Sequence, residues 1–595
     1  MWDAAYGRVR HCQCALVILG NPRSSSEIFG NRLNSNVLAK LLPRWFPFLG
    51  WQRPDSATLK GDVWAGLTVG LMVIPQGVAY AALAGMPLIT GIYATLLPAL
   101  VAVLWGASTR LSVGPTALTC LLISASLTGL AAPGSAQWVL LAVWLALLSG
   151  ALQLLLGLGR FGWLLNLVSS PVLAGFTQAA AVLILLSQLP MLLGLGGPLA
   201  SLFDAPKINV TAAAFGFGSL AALVLGKRLL PHFPVVIVVV AVTAALSAWL
   251  GFSARGGPVV GDLPAGLPAL YWPEALPWAT LGSLVMPALV VTLVSFLETA
   301  SSAKVENQRD GKQWNENQDL IGQGLAKIAS AFSGAFPTSA SFSRSAILLH
   351  AGARTAWATI VAVMLVLLAL IWLMPSLYHV PKSVLAAVVI AAVAGLVKPS
   401  ELQRLWRVSR VEAITGATTF LLTLATAPRL YWGVLAGLLM SLSHFLHHRL
   451  HPRIIEVGLH GDGSLRDRHL WHLPPLGPHV YALRMDAELD FASASGFALA
   501  ITQQLARQPD VRHVCLFGQP INRIDVTGVE AFMQMRSTLA ERGITLHLSG
   551  IKLPVEVVLR RAGALDVGRF LQIYRTDADA LAALQRLDTA PATQH

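Results

Sequence analysis

The sequence predicts a polytopic α-helical membrane protein followed by a soluble α/β domain, and three observations carry that prediction. Charged residues are 12% of the 595 and hydrophobic residues 55%, with a mean hydropathy of +0.63, whereas soluble domains carry about 25% charge. From Asp62 to His448 apolar runs alternate with short connections, some near the roughly 20 residues that span a bilayer and others distinctly shorter. From Pro452 onward the charges return.

Taken in order, residues 1–60 are mixed in character and rich in Arg and Lys, and they read as a cytosolic N-terminal segment. The apolar piece Cys14 to Gly20 is too short for a signal peptide and lacks a cleavage site. Leu41 to Trp51 reads as interfacial. Residues 61–450 form the transmembrane domain, 451–479 a linker, and 480–590 the soluble α/β domain. The apolar runs give about fourteen candidate spans, centred near residues 71, 100, 121, 147, 182, 218, 242, 290, 325, 346, 366, 390, 418 and 438. With the N-terminal segment in the cytosol, the inner connections hold Arg110, Arg160, Lys227, Arg228, Lys304, Arg309, Lys312, Arg354, Lys398, Arg404, Arg407 and Arg410. The outer ones hold only Lys207, Arg255, Lys382 and Arg429. That asymmetry satisfies the positive-inside rule for a multi-pass protein of the cell (inner) membrane with both termini cytosolic.

Topology also accounts for the net charge of +13. No basic face interleaved with aromatics is present, so a nucleic-acid partner is excluded. Four scattered cysteines, Cys12, Cys14, Cys120 and Cys515, make neither a disulfide framework nor a structural zinc site. His444, His447, His448 and His451 share one helix face, but they lie at a span end beside Arg449, where polar residues mark the interface. No metal and no cofactor is expected. No clustered nucleophile, base or metal set points to an enzyme.

Two spans are interrupted in corresponding places, the third of the first seven and the third of the second seven. The first opens Leu111-Ser112-Val113-Gly114-Pro115-Thr116, with Pro115 suited to a first helical turn; the second opens Pro337-Thr338-Ser339-Ala340-Ser341-Phe342-Ser343-Arg344. A polar run at membrane depth is costly unless its groups are satisfied. Paired interrupted helices are the pointer to two inverted repeats with a site at the midplane, where two helix N-termini face one another. Free N–H groups and hydroxyls at such ends favour an anion.

The stretch from Asp62 to Gly70, followed by Ile74-Pro75-Gln76-Gly77-Val78-Ala79-Tyr80, resembles the signature of sulfate permease (SulP) anion transporters. So do Leu111 to Thr116, Asn317 to Gly324, and Ser341 to Ser345. The resemblance implies two inverted seven-helix repeats, fourteen spans in all, divided into a core that carries the anion and a gate that holds still at a homodimer contact. It implies that Gln76 and Tyr80, Thr116 and Ala117, and Ser341, Ser343 and Arg344 surround the substrate. Ala340 stands where many members have Gly and adds a methyl beside the site.

Arg344 supplies a positive field near the anion, or else it is a structural cation paired with a carboxylate or with helix carbonyls. The serines cap a helix, bind an anion, or do both with one geometry. Glu298, a carboxylate among apolar neighbours, is the candidate coupling group; the alternatives are an ion pair with Arg344 or a surface charge at the cytosolic end. In the family this position carries Glu in proton-linked members and Asp in a sodium-coupled bicarbonate branch, so a proton is expected and sodium less so. Ser302, one turn on, matches a cation-site position.

The C-terminal domain alternates strand-like Val480 to Met485 and Val511 to Phe517, helical Thr527 to Glu541, strand-like Ile544 to Leu548 and helical Pro554 to Arg561, a βαβ rhythm with a parallel or mixed sheet. Ile524 to Glu530 resembles the STAS domain motif shared with anti-sigma-factor antagonists. There Thr527 takes the phosphorylation position, while Asp525 or Thr527 as a plain helix cap is the alternative. The expectation is a secondary active transporter taking up sulfate with a proton by alternating access. A C4-dicarboxylate or bicarbonate transporter and an uncoupled anion exchanger or channel are the rivals, and in each case the partners are a small inorganic or organic anion and the lipid bilayer.

Overall fold

The computed structural model describes residues 46–51, 53–195, 208–229, 235–264, 266–566 and 568–589. The N-terminal readings up to residue 45, including Cys12 and Cys14, and the outer Lys207 lie outside them. The chain divides into two compact units, Met1–Asn166 with Thr177–Pro399 and Thr423–Tyr431, and Leu167–Phe176 with Ser400–Leu422 and Trp432–His595.

Its first helices are α1 (Ser56–Leu83), α2 (Thr90–Tyr93), α3 (Leu97–Trp105), α4 (Ala117–Leu127) and α5 (Ala136–Leu158). Then come α6 (Ser170–Leu192), α7 (Val210–Leu229), α8 (Val235–Trp249), α9 (Trp278–Asp310), α10 (Glu316–Phe332), α11 (Phe342–His350) and α12 (Trp357–Trp372). They are followed by α13 (Lys382–Val393), α14 (Pro399–Val408), α15 (Arg410–Ala425) and α16 (Tyr431–Leu450). Each expected span centre falls in a helix of its own. Among the described residues, six helical stretches are long and apolar enough to cross a bilayer. The protein is a multi-pass membrane protein.

Glycines set the spacing around the two interrupted spans. A methyl on Gly322 of α10 would stand 2.7 Å from the Gly106 nitrogen, and one on Gly324 would stand 2.8 Å from the Gly150 carbonyl oxygen of α5. Small residues let helix backbones touch where no water drives association. The same device joins α1 to α2, where a methyl on Gly91 would lie 1.9 Å from the Gly77 oxygen.

In the second unit, β3 (Ile454–Leu459), β4 (Leu465–Asp467), β5 (Val480–Met485), β6 (His513–Phe517), β7 (Thr545–Ser549) and β8 (Leu571–Tyr574) form one mixed sheet in the order β4-β3-β5-β6-β7-β8. Strands β5 to β8 run parallel, and β3 is antiparallel to both its neighbours. The segment 451–479, expected as a linker, therefore supplies two strands. One face of the sheet, with Leu483, Val514, Leu516 and Leu546, packs with Phe497 of α17 (Ala494–Arg507), Phe532 of α18 (Val526–Glu541) and Leu559 of α19 (Leu553–Arg561). The other face, with Ala482, Cys515 and Phe517, packs with Ala580 and Leu584 of α20 (Asp577–Thr589).

Candidate functional site

The two interrupted spans meet as a two-stranded ribbon. β1 (Val113–Gly114) pairs antiparallel with β2 (Ser339–Ala340), Val113 opposite Ala340 and Gly114 opposite Ser339. The pairing satisfies backbone groups that hydrocarbon would leave bare. It is extended by Ser341 N donating to Ser112 O at 2.9 Å and by Ser112 N donating to Ser345 Oγ at 2.9 Å. Each strand then runs into a capped helix. Thr116 is the N-cap of α4 and accepts from Thr119 N; Ser341 is the N-cap of α11 and accepts from Arg344 N. Pro115 stands before the cap rather than in the first turn, because the Thr116 hydroxyl supplies the acceptor that the helix end requires.

Arg344 is 2% exposed. Its Nε donates to Ser112 Oγ at 3.1 Å and its Nη1 to the Pro115 carbonyl at 2.9 Å, so the guanidinium crosses from α11 to the other interrupted span. Among the described residues its Nη2 is buried without a hydrogen-bond partner, as are Gln76 Oε1, Gln323 Oε1 and Thr338 Oγ1. Tyr80, Cys120 and Glu298 lie within electrostatic reach of it.

The Glu298 carboxylate, on α9, faces the start of α4. Thr116 Oγ1 donates to Glu298 Oε2 at 3.0 Å and Thr119 Oγ1 reaches the same oxygen at 3.4 Å, while Ser339 of β2 lies against the carboxylate. No Glu298–Arg344 ion pair occurs among the described residues, so that alternative does not describe this conformation. Behind this layer Lys327 of α10 is fully buried, donating to Gln153 Oε1 of α5 and to Ser295 Oγ of α9 at 2.6 Å.

A model described as the sulfate permease family matches residues 59–419, and one described as the STAS domain matches residues 476–580. The chain belongs to the sulfate permease family. The Arabidopsis thaliana protein named Probable sulfate transporter 4.2 is 32% identical over 560 residues, covering 88% of this chain and 81% of that one. A probable sulfate transporter of Mycobacterium tuberculosis is 32% identical over 542 residues, covering 89% and 96%. The structure of the murine anion transporter Slc26a9 in its inward-facing state superposes with a TM-score of 0.83 at 20% identity over 96% of this chain and all of that one, a likeness of fold. These relatives are transporters rather than enzymes.

Within this sulfate permease fold the residues expected at the site separate into two groups. Tyr80, Thr116, Ala117, Glu298, Ser341 and Arg344 sit on or beside the ribbon and its two helix starts, with Gln76 one turn before Tyr80 and 6% exposed. Ser343 is exposed and outside the hydrogen-bonded cluster. Ser302 is buried, but its hydroxyl donates to the Glu298 carbonyl at 3.1 Å. Arg110, read from sequence as a loop cation, is buried and paired with Glu306 at 3.2 Å and Asp310 at 2.7 Å, since its position after α3 faces the end of α9. Sequence reasoning missed Lys327 and the fully buried Ser295, and it read the fully buried Ser339 only as part of the polar run; a lone lysine inside a span was the available signal.

In the STAS domain, Asp525 is the residue that caps α18. It accepts from Gly528 N at 2.8 Å and from Phe491 N at 3.0 Å, and the Thr527 hydroxyl is exposed beside it. At the end of α16 the rings of His444 and His448 lie 4.5 Å apart and those of His447 and His451 4.4 Å apart.

Proposed function

We propose that this protein takes up sulfate together with a proton across the cell (inner) membrane by alternating access, with residues 61–450 as its transport domain. The observation that carries the reading is the unfilled polar capacity between two capped helix starts: among the described residues Arg344 Nη2 is buried and unpartnered beside the N-termini of α4 and α11, and the Glu298 carboxylate is bonded to the cap of one of them. An anion there meets a guanidinium N–H, N-terminal backbone N–H groups and hydroxyls, the donor set that holds oxyanions. The naming of the relatives as sulfate transporters favours sulfate as the oxyanion.

In this mechanism Tyr80, Gln76, Thr116, Ala117, Ser341 and Arg344 form the anion site, and Ser343 lines its approach. A charged Glu298 beside an entering dianion costs Coulomb energy. Protonation of Glu298 removes that cost and leaves a hydroxyl able to donate where the carboxylate accepted, so anion and proton load together and the loaded core crosses relative to a gate held at a homodimer contact. Ser302 supports Glu298 from one turn away. Thr527 is the candidate phosphorylation position of the STAS domain.

Uptake of labelled sulfate and labelled succinate into proteoliposomes, with and without an inward proton gradient, tests the reading. Gradient-stimulated sulfate uptake supports it. Uptake of succinate alone moves the protein to dicarboxylates, and uptake of neither turns the search to bicarbonate and chloride. Sulfate currents that ignore the gradient make it an uncoupled exchanger or channel.

A further inference from the structure

Lys327 is a buried cation for which the mechanism above has no use. It is 0% exposed on α10, and its nitrogen donates to two neutral oxygens, Gln153 Oε1 and Ser295 Oγ. A buried charge is ordinarily paired, because its desolvation costs several kcal/mol. No carboxylate stands within ion-pair distance of Lys327 among the described residues, and the group it senses electrostatically is Glu298. The link between them is short and polar. Lys327 holds the Ser295 hydroxyl, Ser339 Oγ lies 3.4 Å from the Ser295 carbonyl, and Ser339 lies against Glu298.

The other buried charges have their partners elsewhere. Arg110 is held by Glu306 and Asp310. Asp319, eight residues before Lys327 and so about 12 Å away along α10, accepts from Ala107 N, Ser108 N, Ser108 Oγ and Trp314 Nε1. Asp62 accepts from Arg354 N, Thr355 N and Thr355 Oγ1. From α5 the neighbour of Lys327 is the neutral Gln153 and from α9 Ser295, with Glu298 in electrostatic reach, while Ser339 of β2 and Arg344 of α11 face Glu298. The charged groups linked electrostatically at the ribbon are Arg344, Glu298 and, through Glu298, Lys327.

We infer that Lys327 is a specificity-determining positioning residue: a second positive charge behind the anion site that makes the site select dianions. The inference rests on the proposed function and deepens it. With Arg344 and Lys327 both positive and Glu298 protonated, a bound dianion leaves the loaded core neutral, whereas a monoanion leaves it positive. Without Lys327 the neutral loaded core, Glu298 again protonated, holds a monoanion. Lys327 acts through the field and through Ser295, without touching the anion.

The test compares full-length wild type with Lys327→Arg, Lys327→Gln and the double variant Lys327→Met with Gln153→Leu, which removes the lysine together with one of its two acceptors. Initial rates of labelled sulfate and labelled chloride uptake are read from proteoliposomes, with thermal melting as the check on folding. The sulfate-to-chloride ratio should hold in Lys327→Arg and fall about tenfold or more in the two charge-removing variants. An unchanged ratio in either charge-removing variant that transports would overturn the inference. A measurement on wild type alone guards against misfolding: selenate should compete with labelled sulfate far better than perchlorate, a tetrahedral monoanion, and equal competition would also overturn it. A wild type that moves no sulfate sinks the proposed function instead, so the two failures are distinct.

Discussion

Thr116 joins the two parts of the site: the hydroxyl that caps α4 also donates to Glu298 Oε2 at 3.0 Å. The helix end offered to the anion and the carboxylate proposed for the proton are thereby tied through one side chain. A change in the charge of Glu298 is felt at the cap, and an anion seated at the cap is felt at Glu298.

Thr116→Val removes this link with little change of shape. Losing the cap costs about 1 kcal/mol of stability. Anion affinity should fall, and the stimulation of uptake by a proton gradient should weaken with it; Thr116→Ser should keep both. Uptake at several external pH values checks this, and undiminished coupling in Thr116→Val would count against the link.

The two serines of α11 should separate. Ser341 is the N-cap, and Ser343 is exposed with no side-chain hydrogen bond among the described residues. Ser341→Ala should lower the melting temperature in keeping with a lost cap of about 1 kcal/mol and weaken sulfate binding. Ser343→Ala should leave the melting temperature in place, and the double variant should bind sulfate more weakly than Ser341→Ala. Calorimetric sulfate titration with melting curves gives both readings, and undiminished affinity in the folded double variant would argue against the pocket.

Gly322→Ala should prevent stable folding of the transport domain. The added methyl meets the Gly106 nitrogen at 2.7 Å and its Cα at 2.8 Å, both backbone atoms that no rotamer can clear. Overpacking of this kind costs about 1–3 kcal/mol or more. Detergent size-exclusion profiles would show it, and a monodisperse variant with wild-type melting would refute the close approach.

Acid should loosen the STAS sheet through His547. Its ring is fully buried on β7, 3.1 Å from His513 and 3.1 Å from the Tyr574 hydroxyl, and burial, with His513 beside it, pushes it from 6.5 down to about 4. A histidine held neutral in the fold favours the folded state fully above the unfolded value, and that advantage drains away as pH falls from about 6.5 towards about 4. Protection factors of β7 amides in the full chain should drop over that window in wild type and much less in His547→Phe. Equal drops would place the sensitivity elsewhere.

Sequence made the interruptions legible because each sets Gly, Ser, Thr or Pro into an apolar run, and a helix cannot cross a bilayer through such a stretch without another partner for its backbone. The partner, one strand for the other across more than 200 residues, could not be read that way. Arg110 shows the same limit: its acids lie on α9, so a local view counts it as a loop charge. The STAS strand Val480–Met485 falls where alternation put it, whereas β3 and β4 were hidden in a stretch broken by Gly, Asp and Pro. Lys327 was missed for a simpler reason, since α10 is polar and glycine-rich enough for one lysine to pass as part of the pattern.

The most direct test of the account is a pH dye sealed inside proteoliposomes. On addition of external sulfate, wild-type vesicles should acidify as labelled sulfate enters, and Glu298→Gln vesicles should take up sulfate without acidifying or fail to take it up. Sulfate entry into wild-type vesicles at constant internal pH, or acidification undiminished in Glu298→Gln, would contradict it.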